Sequence, residues 1–340
     1  MNILIIRFSA LGDVAISAVA VESILSANPT INVWMLSKAQ HQPLFNKNPR
    51  LHFIPTDFKG KHKGLKGLKQ LAKEITAQHK IEVVVDLHDV LRSKVLRFFF
   101  KLKGIKTYCF DKGRKEKNSL LKNNKPFEKL PHTIDRYLNC FKQIGLNAYL
   151  AESPWLKTQP DLNFSTASNK KKIGIAPFAA HKSKEWGLAK ITKLIGQLKE
   201  FDVFLFGAGN QEIQKLNALA NNYPHCHNLA GKYSLETELS IISSLDLMVS
   251  MDSANMHLAS LVDTKVISIW GPTHYYMGFG PLKNQKLIVE VSKDELPCRP
   301  CSIYGKLYSK KQKNCAKVSM DKISVSTVKK KVLEVLKQED

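Results

Sequence analysis

Residues 245–272 read LDLMVSMDSANMHLASLVDTKVISIWGP. One apolar run, Leu245 to Ser250, ends in Met251-Asp252, and a second, Val266 to Trp270, ends in Gly271-Pro272. Short unbroken apolar runs suit strands buried on both faces, and ANMHLASLV between them suits a crossover helix. The start of that helix is polar, with Asp252, Ser253, Asn255 and His257 close together. Asp252 or Ser253 can cap the first orphan backbone N–H groups. Those N–H groups and the helix dipole also attract an anion such as a phosphate. Capping gives His257 no role.

The same strand–helix alternation extends outward in both directions. Before this stretch come strand KIGIAPF, helix AKITKLIGQLKEF, strand DVFLFGAG, helix NQEIQKLNALANN and helix ELSIISSL. The first half opens with strand NILIIRF and helix DVAISAVAVESILSAN, followed by INVWMLS, HFIPTD, a basic helix and IEVVVDLH. Alternation of this kind predicts an α/β fold of two doubly wound, Rossmann-like domains in tandem. The divisions are 1–155, a Pro- and Ser-bearing polar linker at 156–172, 173–322, and an amphipathic C-terminal helix at 323–340. Ligands of such sheets bind beyond the carboxyl ends of strands, so a cleft between two facing domains is the expected site.

The chain has 340 residues, 44% hydrophobic and 24% charged, an ordinary composition for a globular protein of about two domains. No apolar run approaches the ~20 residues of a spanning helix, and the N-terminus lacks the features of a signal peptide. A cytoplasmic location is expected. The net charge of +23 is uneven. KGKHKGLKGLKQLAK (59–73) has six Lys and no acid; RSKVLRFFFKLKGIK (92–106) sets aromatics beside bases, and a third basic run spans 112–129. Such a surface suits nucleic acid, an anionic membrane or an acidic substrate, although a lysine-rich run is also a common solvated face. Six Cys without a secretory signal argue against a disulfide framework. Cys298, Cys301 and Cys315 are one ligand short of a structural zinc site, and free thiols are expected there.

Three other strand ends carry polar residues. RFSALGD places Ser9, Gly12 and Asp13 between a strand and a helix, where Asp13 suits an N-terminal cap or a group facing the cleft. APFAAHKSKEW brings His181, Lys182 and Lys184 to another strand end, as phosphate contacts or surface lysines. In LFGAGNQE, Gly207 and Gly209 form half of a dinucleotide fingerprint, but Glu212 stands where the third Gly belongs, which disfavours NAD.

Together with MDSANMHLAS and WGPTHYYMGFGP, these loops give the chain a marked resemblance to the glycosyltransferase family 9 heptosyltransferases of lipopolysaccharide core assembly. It extends from ILIIRFSALGDV through HKSKEW and residues 229–273 to PCRPC. The resemblance implies a GT-B fold, with an N-terminal acceptor domain and a C-terminal nucleotide-sugar domain. It implies Asp13 as general base, Lys184 as a donor-phosphate contact, and the turn at Asp252, Ser253, Ala254 and His257 as the diphosphate cradle. Ser9 and Gly12 fall on the same donor side, Glu212 near the ribose, Tyr233 in the loop lining the base, and Arg92 on the acceptor side. ADP-heptose is the implied donor. The implied acceptor is an anionic lipid-linked glycan of the lipopolysaccharide core or lipid A type, reached at the inner-membrane surface.

Direct displacement at an anomeric carbon needs a carboxylate for the hydroxyl proton and positive potential at the departing diphosphate. The chain has no Asp-x-Asp, so no divalent metal cofactor is expected. Two motifs depart from the family pattern: its Asp-Thr-Gly is Asp252-Ser253-Ala254 here, and its hydroxyl-bearing pair before the Lys is Ala179-Ala180. A Gly at 254 could take φ > 0, and Ala cannot do so readily. These changes keep a catalytically inactive sugar-nucleotide-binding protein as an alternative. A nucleic-acid-binding protein rests on charge alone and lacks a recognition helix or RNA-binding signature; nucleic acid is not an expected partner.

Overall fold

The structure is a computed structural model that describes residues 1–122, 127–158 and 170–337. The expected linker at 156–172 and the basic run at 112–129 are therefore described only in part, and 338–340 of the expected terminal helix lie outside the described residues. Two compact units are formed: Met1–Lys112 with Thr133–Lys157, and Gly113–His132 with Thr158–Asp340. Most of the third basic run belongs to the second unit.

In the first unit the chain order is β1 (Asn2–Ile6), α1 (Leu11–Ala27), β2 (Asn32–Lys38), β3 (Leu51–Thr56), α2 (Gly64–Gln78), β4 (Val83–Asp86), α3 (Leu91–Lys101) and β5 (Lys106–Cys109). After α4 (Arg114–Leu120), which sits with the second unit, α5 (Thr133–Lys142) returns to the first. The sheet is parallel throughout, in the order β3-β2-β1-β4-β5. α1 is apolar nearly all round, as a helix enclosed by other elements must be. Val14, Val19, Ile24 and Leu25 are all buried, and α1 packs against α5. α2 is amphipathic: Leu68, Leu71, Ala72 and Ile75 enter a core with Leu4, Ile6, Val84 and Phe100, while its lysines face out.

The second unit continues with β6 (Lys172–Ala176), α6 (Leu188–Gly196), β7 (Asp202–Leu205), α7 (Asn210–Ala220), β8 (Cys226–Asn228), α8 (Leu235–Ser243), β9 (Leu247–Met251), α9 (Ala254–Leu261), β10 (Val266–Trp270), β11 (Ile288–Glu290), α10 (Lys310–Lys322) and α11 (Val325–Lys337). Its sheet is parallel in the order β11-β10-β9-β6-β7-β8. Val328, Val332, Val335 and Leu336 of α11 join Ile173, Ile191, Leu194 and Val249 in one core. The two sheets share one property that positions the chemistry. Each reverses its winding once, between β1 and β4 in the first and between β6 and β9 in the second. Loops leaving the carboxyl ends of two such neighbours run in opposite directions and leave a crevice, where doubly wound folds bind ligands.

Candidate active site

At the first reversal the strand ends are aligned, with Ile6 opposite Asp86. Arg7 follows β1 and is buried. One of its terminal amines donates to the carbonyl of Leu87 beyond β4, and the other lies 2.6 Å from Oδ2 of Asp13. Asp13 is in the first turn of α1, and the same Oδ2 accepts from the Ala10 N–H at 3.3 Å. Capping and charge pairing thus both fall on Oδ2. Oδ1 has no hydrogen bond among the described residues, and the side chain is 33% exposed. Gly12 is the buried second residue of α1, without positive φ, and Ser9 is half-buried in the loop before it.

The β4–α3 loop beside it is tied down. Asp86, fully buried, accepts the N–H groups of His88 (2.8 Å) and Asp89 (2.9 Å) on Oδ1, and Arg97 lies 3.0 Å from its Oδ2. Asp89 takes φ 48°, a left-handed conformation that Asp tolerates. Asp86, Asp89 and Cys109 are close enough together to hold a cation. Arg97, also 3.1 Å from Asp89, already supplies the compensating charge, and burial pushes the Cys109 thiol up to about 12, which leaves it a poor ligand. Arg92 is exposed on α3, with its guanidinium 5.0 Å from the centroid of Phe58. Of the three adjacent phenylalanines, Phe100 is core and Phe98 is 56% exposed.

At the second reversal Ala176 lies opposite Ser250, and Lys184 and Asp252 come from the loops just beyond. Their side chains are almost buried (11% and 12% exposed), with the Lys184 ammonium 3.2 Å from Oδ2 of Asp252. Thr273, from the WGPT turn after β10, donates to the same oxygen at 2.8 Å. Ser253 is the extended residue before α9, and its hydroxyl contacts the Ser250 hydroxyl (3.1 Å) rather than capping the helix. That leaves the first N–H groups of α9 without a side-chain cap from Ser253. His257 lies on the second turn and is half-buried. Ala254 is the first residue of α9 and is not among the residues with φ > 0, so no glycine is required there. Ala179 packs its methyl against the core.

Glu212 and Tyr233 lie apart from this pair in the chain, at the ends of β7 and β8. Glu212 accepts the Ala208 N–H at 2.9 Å and so closes the glycine turn before α7. Tyr233 is 43% exposed in the β8–α8 loop. Among the described residues neither hydrogen-bonds to Lys184 or Asp252, and the first reversal lies in the other unit. The structure therefore joins Lys184, Asp252 and Ser253 into one constellation, and places Asp13 in another with two residues that sequence reasoning did not single out, Arg7 and His88.

Arg299 is a further residue missed from sequence. It is fully buried and donates to the carbonyls of Trp270, Gly271, Thr273 and Val291 and to Glu290. These bonds fix the turn from which Thr273 reaches Asp252. Gly305, at φ 95°, brings the following loop onto Lys184; a Cβ there would stand 2.8 Å from the lysine Cγ. The expectation of free thiols is corrected here. Cys298 and Cys315 form a disulfide, because α10 returns Cys315 to the Arg299 loop with the Cα atoms 6.3 Å apart, within bonding range. Cys301 remains a buried thiol, pushed up to about 11 by burial. The same turn walls a cavity of about 730 Å³ lined by Phe127, His274, Tyr276, Glu290 and Lys293. Within it His274 lies 3.2 Å from Glu290, and the Lys293 ammonium 4.2 Å from the Phe127 ring centre.

Two parallel doubly wound sheets in tandem, each with polar groups at its reversal, are the architecture of the GT-B fold. Comparison with known proteins gives the family. Residues 68–310 match glycosyltransferase family 9 (heptosyltransferase), and the chain belongs to that family. It is 27% identical to the lipopolysaccharide core heptosyltransferase OpsX of Haemophilus influenzae, over 85% of this chain and 84% of that one. It is 24% identical to lipooligosaccharide heptosyltransferase 2 of Campylobacter jejuni, covering 86% and 87% of the two chains. Among solved structures, the E. coli heptosyltransferase WaaC with ADP superposes with a TM-score of 0.72 at 19% identity, covering 98% of this chain and 100% of that one. A family 9 glycosyltransferase from Veillonella parvula gives 0.75 at 17% identity over 99% and 97%.

Proposed function

We propose that this glycosyltransferase transfers heptose from ADP-heptose to an anionic acceptor of the lipopolysaccharide core, with inversion at the anomeric carbon. The observation that carries the reading is the division of labour on Asp13: Arg7 and a backbone N–H occupy Oδ2, and Oδ1 remains open to a substrate hydroxyl. The acceptor oxygen attacks the anomeric carbon, Oδ1 takes its proton, and the bond to the diphosphate breaks with its electron pair leaving on ADP. The start of α9 and Lys184 receive the diphosphate. With Asp252 beside it, the lysine contributes directed N–H donors, and the helix contributes the fixed positive potential. Such a site needs no divalent metal. The Haemophilus influenzae and Campylobacter jejuni relatives carry the names of a lipopolysaccharide core heptosyltransferase and a lipooligosaccharide heptosyltransferase, which supports the donor and the acceptor.

The test is mass spectrometry of heptose-deficient lipopolysaccharide incubated with enzyme and ADP-heptose. Addition of one heptose with release of ADP is expected, with β- against α-linkage read by NMR. Binding of ADP-heptose with no transfer would favour the inactive sugar-nucleotide-binding alternative.

The acceptor's lipid places the reaction at the inner face of the membrane, and one face of the first unit suits that surface. α2 and α3 pack side by side and expose Lys63, Lys66, Lys69 and Lys73 together with Leu65, Leu91, Phe98 and Leu102. Each such base near an anionic leaflet contributes about 1 kcal/mol. Lys61 is already paired with Glu74 at 3.0 Å. Among the described residues no helix is long and apolar enough to cross a membrane. Co-sedimentation with anionic vesicles should exceed that with neutral ones, weaken with salt, and drop in a Lys63/Lys66/Lys69→Glu variant. Equal sedimentation with both vesicle types would remove the membrane surface from the proposal.

A further inference from the structure

His88 is the one ring at the first reversal whose chemistry the displacement step leaves unused. Its backbone N–H is fixed by Asp86, the neighbouring Leu87 carbonyl is fixed by Arg7, and the ring stands edge-to-face against Phe8 with centroids 5.6 Å apart. Nδ1 accepts the Phe8 N–H at 3.4 Å. That contact sets the tautomer: the proton of the neutral imidazole resides on Nε2. Nε2 has no hydrogen bond among the described residues, and the residue is half-buried. The first reversal therefore carries an open carboxylate oxygen, which only accepts, and, near enough to feel the Asp13 charge, an imidazole N–H, which only donates.

From this we infer that His88 is an acceptor-binding residue, whose Nε2–H donates to an oxygen of the acceptor sugar beside the hydroxyl that Asp13 deprotonates. A vicinal diol or a hydroxyl next to a carboxylate presents such a pair of oxygens. The inference rests on Asp13 acting as the base, and it adds a contact that discriminates among acceptors. A site that donates to a particular substrate oxygen strongly rejects analogues lacking it, because its own polar group is then left unpaired.

The surroundings keep the ring in the donor form. Burial first, then Arg7, Lys112 and Lys38, lower His88 to about 3, against a smaller opposing pull from Asp13. Between pH 5 and 8 the ring is thus neutral, which excludes it as an acid catalyst and leaves it a fixed donor.

Steady-state kinetics with ADP-heptose and deacylated, heptose-deficient lipopolysaccharide test the assignment. His88→Ala should raise the acceptor KM about tenfold or more and leave ADP affinity and kcat at saturating acceptor within about threefold. His88→Gln, whose amide keeps an N–H donor, should recover most of the loss. The acceptor KM of the parent should show no inflection near pH 6.5. A second measurement uses the unmutated protein: long-range ¹⁵N–¹H spectra should show a neutral Nε2–H ring whose Nε2–H shifts on adding the deacylated acceptor and not on adding ADP. An unchanged acceptor KM in a folded His88→Ala protein overturns the assignment, as does a ring signal indifferent to acceptor. Equal loss in Ala and Gln variants with lowered Tm would make His88 structural. Failure of the base reading looks different: Asp13→Asn would keep its turnover whatever the His88 variants do.

Discussion

The two sheet reversals use the same topology and the same kind of ion pair, and bury it differently. Beyond β1 and β4 the carboxylate is the exposed partner and the arginine the buried one: Asp13 is 33% exposed and Arg7 only 6%. Beyond β6 and β9 both members of the Lys184–Asp252 pair are nearly buried. The difference matches what each has to do. A base must meet a substrate proton, so a partly exposed carboxylate held by a guanidinium on one oxygen, with the other left open, suits it. A diphosphate site must keep its donors aimed before the ligand arrives, and a buried pair locked by Thr273 and the Arg299 turn is preorganised for that. The contrast predicts that damage at the first reversal is functional, whereas damage at the second is both functional and structural.

The largest effects should separate along that line. Asp13→Asn keeps the size of the side chain but cannot accept a proton, so transfer should fall by ~10²-fold or more with ADP affinity little changed. Its Tm should fall less than that of Lys184→Ala, because Asp13 is partly exposed and the variant's amide can still accept from Arg7. Lys184→Ala leaves Asp252 buried without its counter-charge, and removing one member of a buried pair typically costs about 3–5 kcal/mol. Thermal denaturation should show that loss together with weakened ADP binding. A Lys184→Met/Asp252→Asn double variant should regain much of the stability and still bind ADP poorly. If the double variant regains ADP affinity as well, Lys184 is structural and the contrast between the two reversals fails.

A smaller effect concerns pH, and its sign differs between the units. In the first unit burial lowers His41 to about 4 and His88 to about 3, below the ordinary 6.5. Groups depressed on folding contribute stability that is present above 6.5 and lost as pH falls toward those values. In the second unit burial raises Glu238 from 4.5 to about 7. That contribution is complete below 4.5 and is lost as pH rises through 7. Glu238→Gln should therefore raise Tm relative to the parent at pH 8, equivalent to about 1–2 kcal/mol after allowing for partial exposure, and hardly at all at pH 4.5. A constant Tm difference across that range would show that Glu238 stays ionised.

The layout of both sheets was legible because strands buried on both faces announce themselves as apolar runs: β1, β2, β4, β6, β7, β9 and β10 all do. Three of the edge strands, β5 (KTYC), β8 (CHN) and β11 (IVE), are buried less completely and do not stand out as such runs. Asp13, Lys184 and Asp252 were visible as polar residues at the ends of long strands. Their partners were not. Arg7 continues β1 and reads as an ordinary basic residue until Leu87, 80 positions away, is seen to accept from it. His88 was passed over for Arg92, four residues on in α3, because only the fold shows that His88 meets the Phe8 N–H at the end of β1. The Cys298–Cys315 bond depended on where α10 returns, which the 17-residue separation does not reveal.

The smallest effect tests the departure at position 254, where the family pattern has Gly and this chain has Ala. If the turn needed φ > 0, Ala254 would be strained, and Ala254→Gly would relax the site and tighten donor binding. The backbone there is helical, with Ser253 extended at φ −145° just before it. The methyl is therefore tolerated, and glycine would only add backbone freedom at the first turn of an eight-residue helix. Ala254→Gly should lower stability by less than about 1 kcal/mol and change ADP-heptose affinity by no more than about threefold. Isothermal titration with ADP and with ADP-heptose distinguishes the cases. Tightening of both ligands by tenfold or more would show that the methyl crowds the phosphates. Tightening of ADP-heptose alone would place it against the sugar and make residue 254 a determinant of the donor. With neither, the second reversal owes its donor affinity to Lys184 and the α9 N–H groups, which a serine and an alanine leave exposed as well as a threonine and a glycine do.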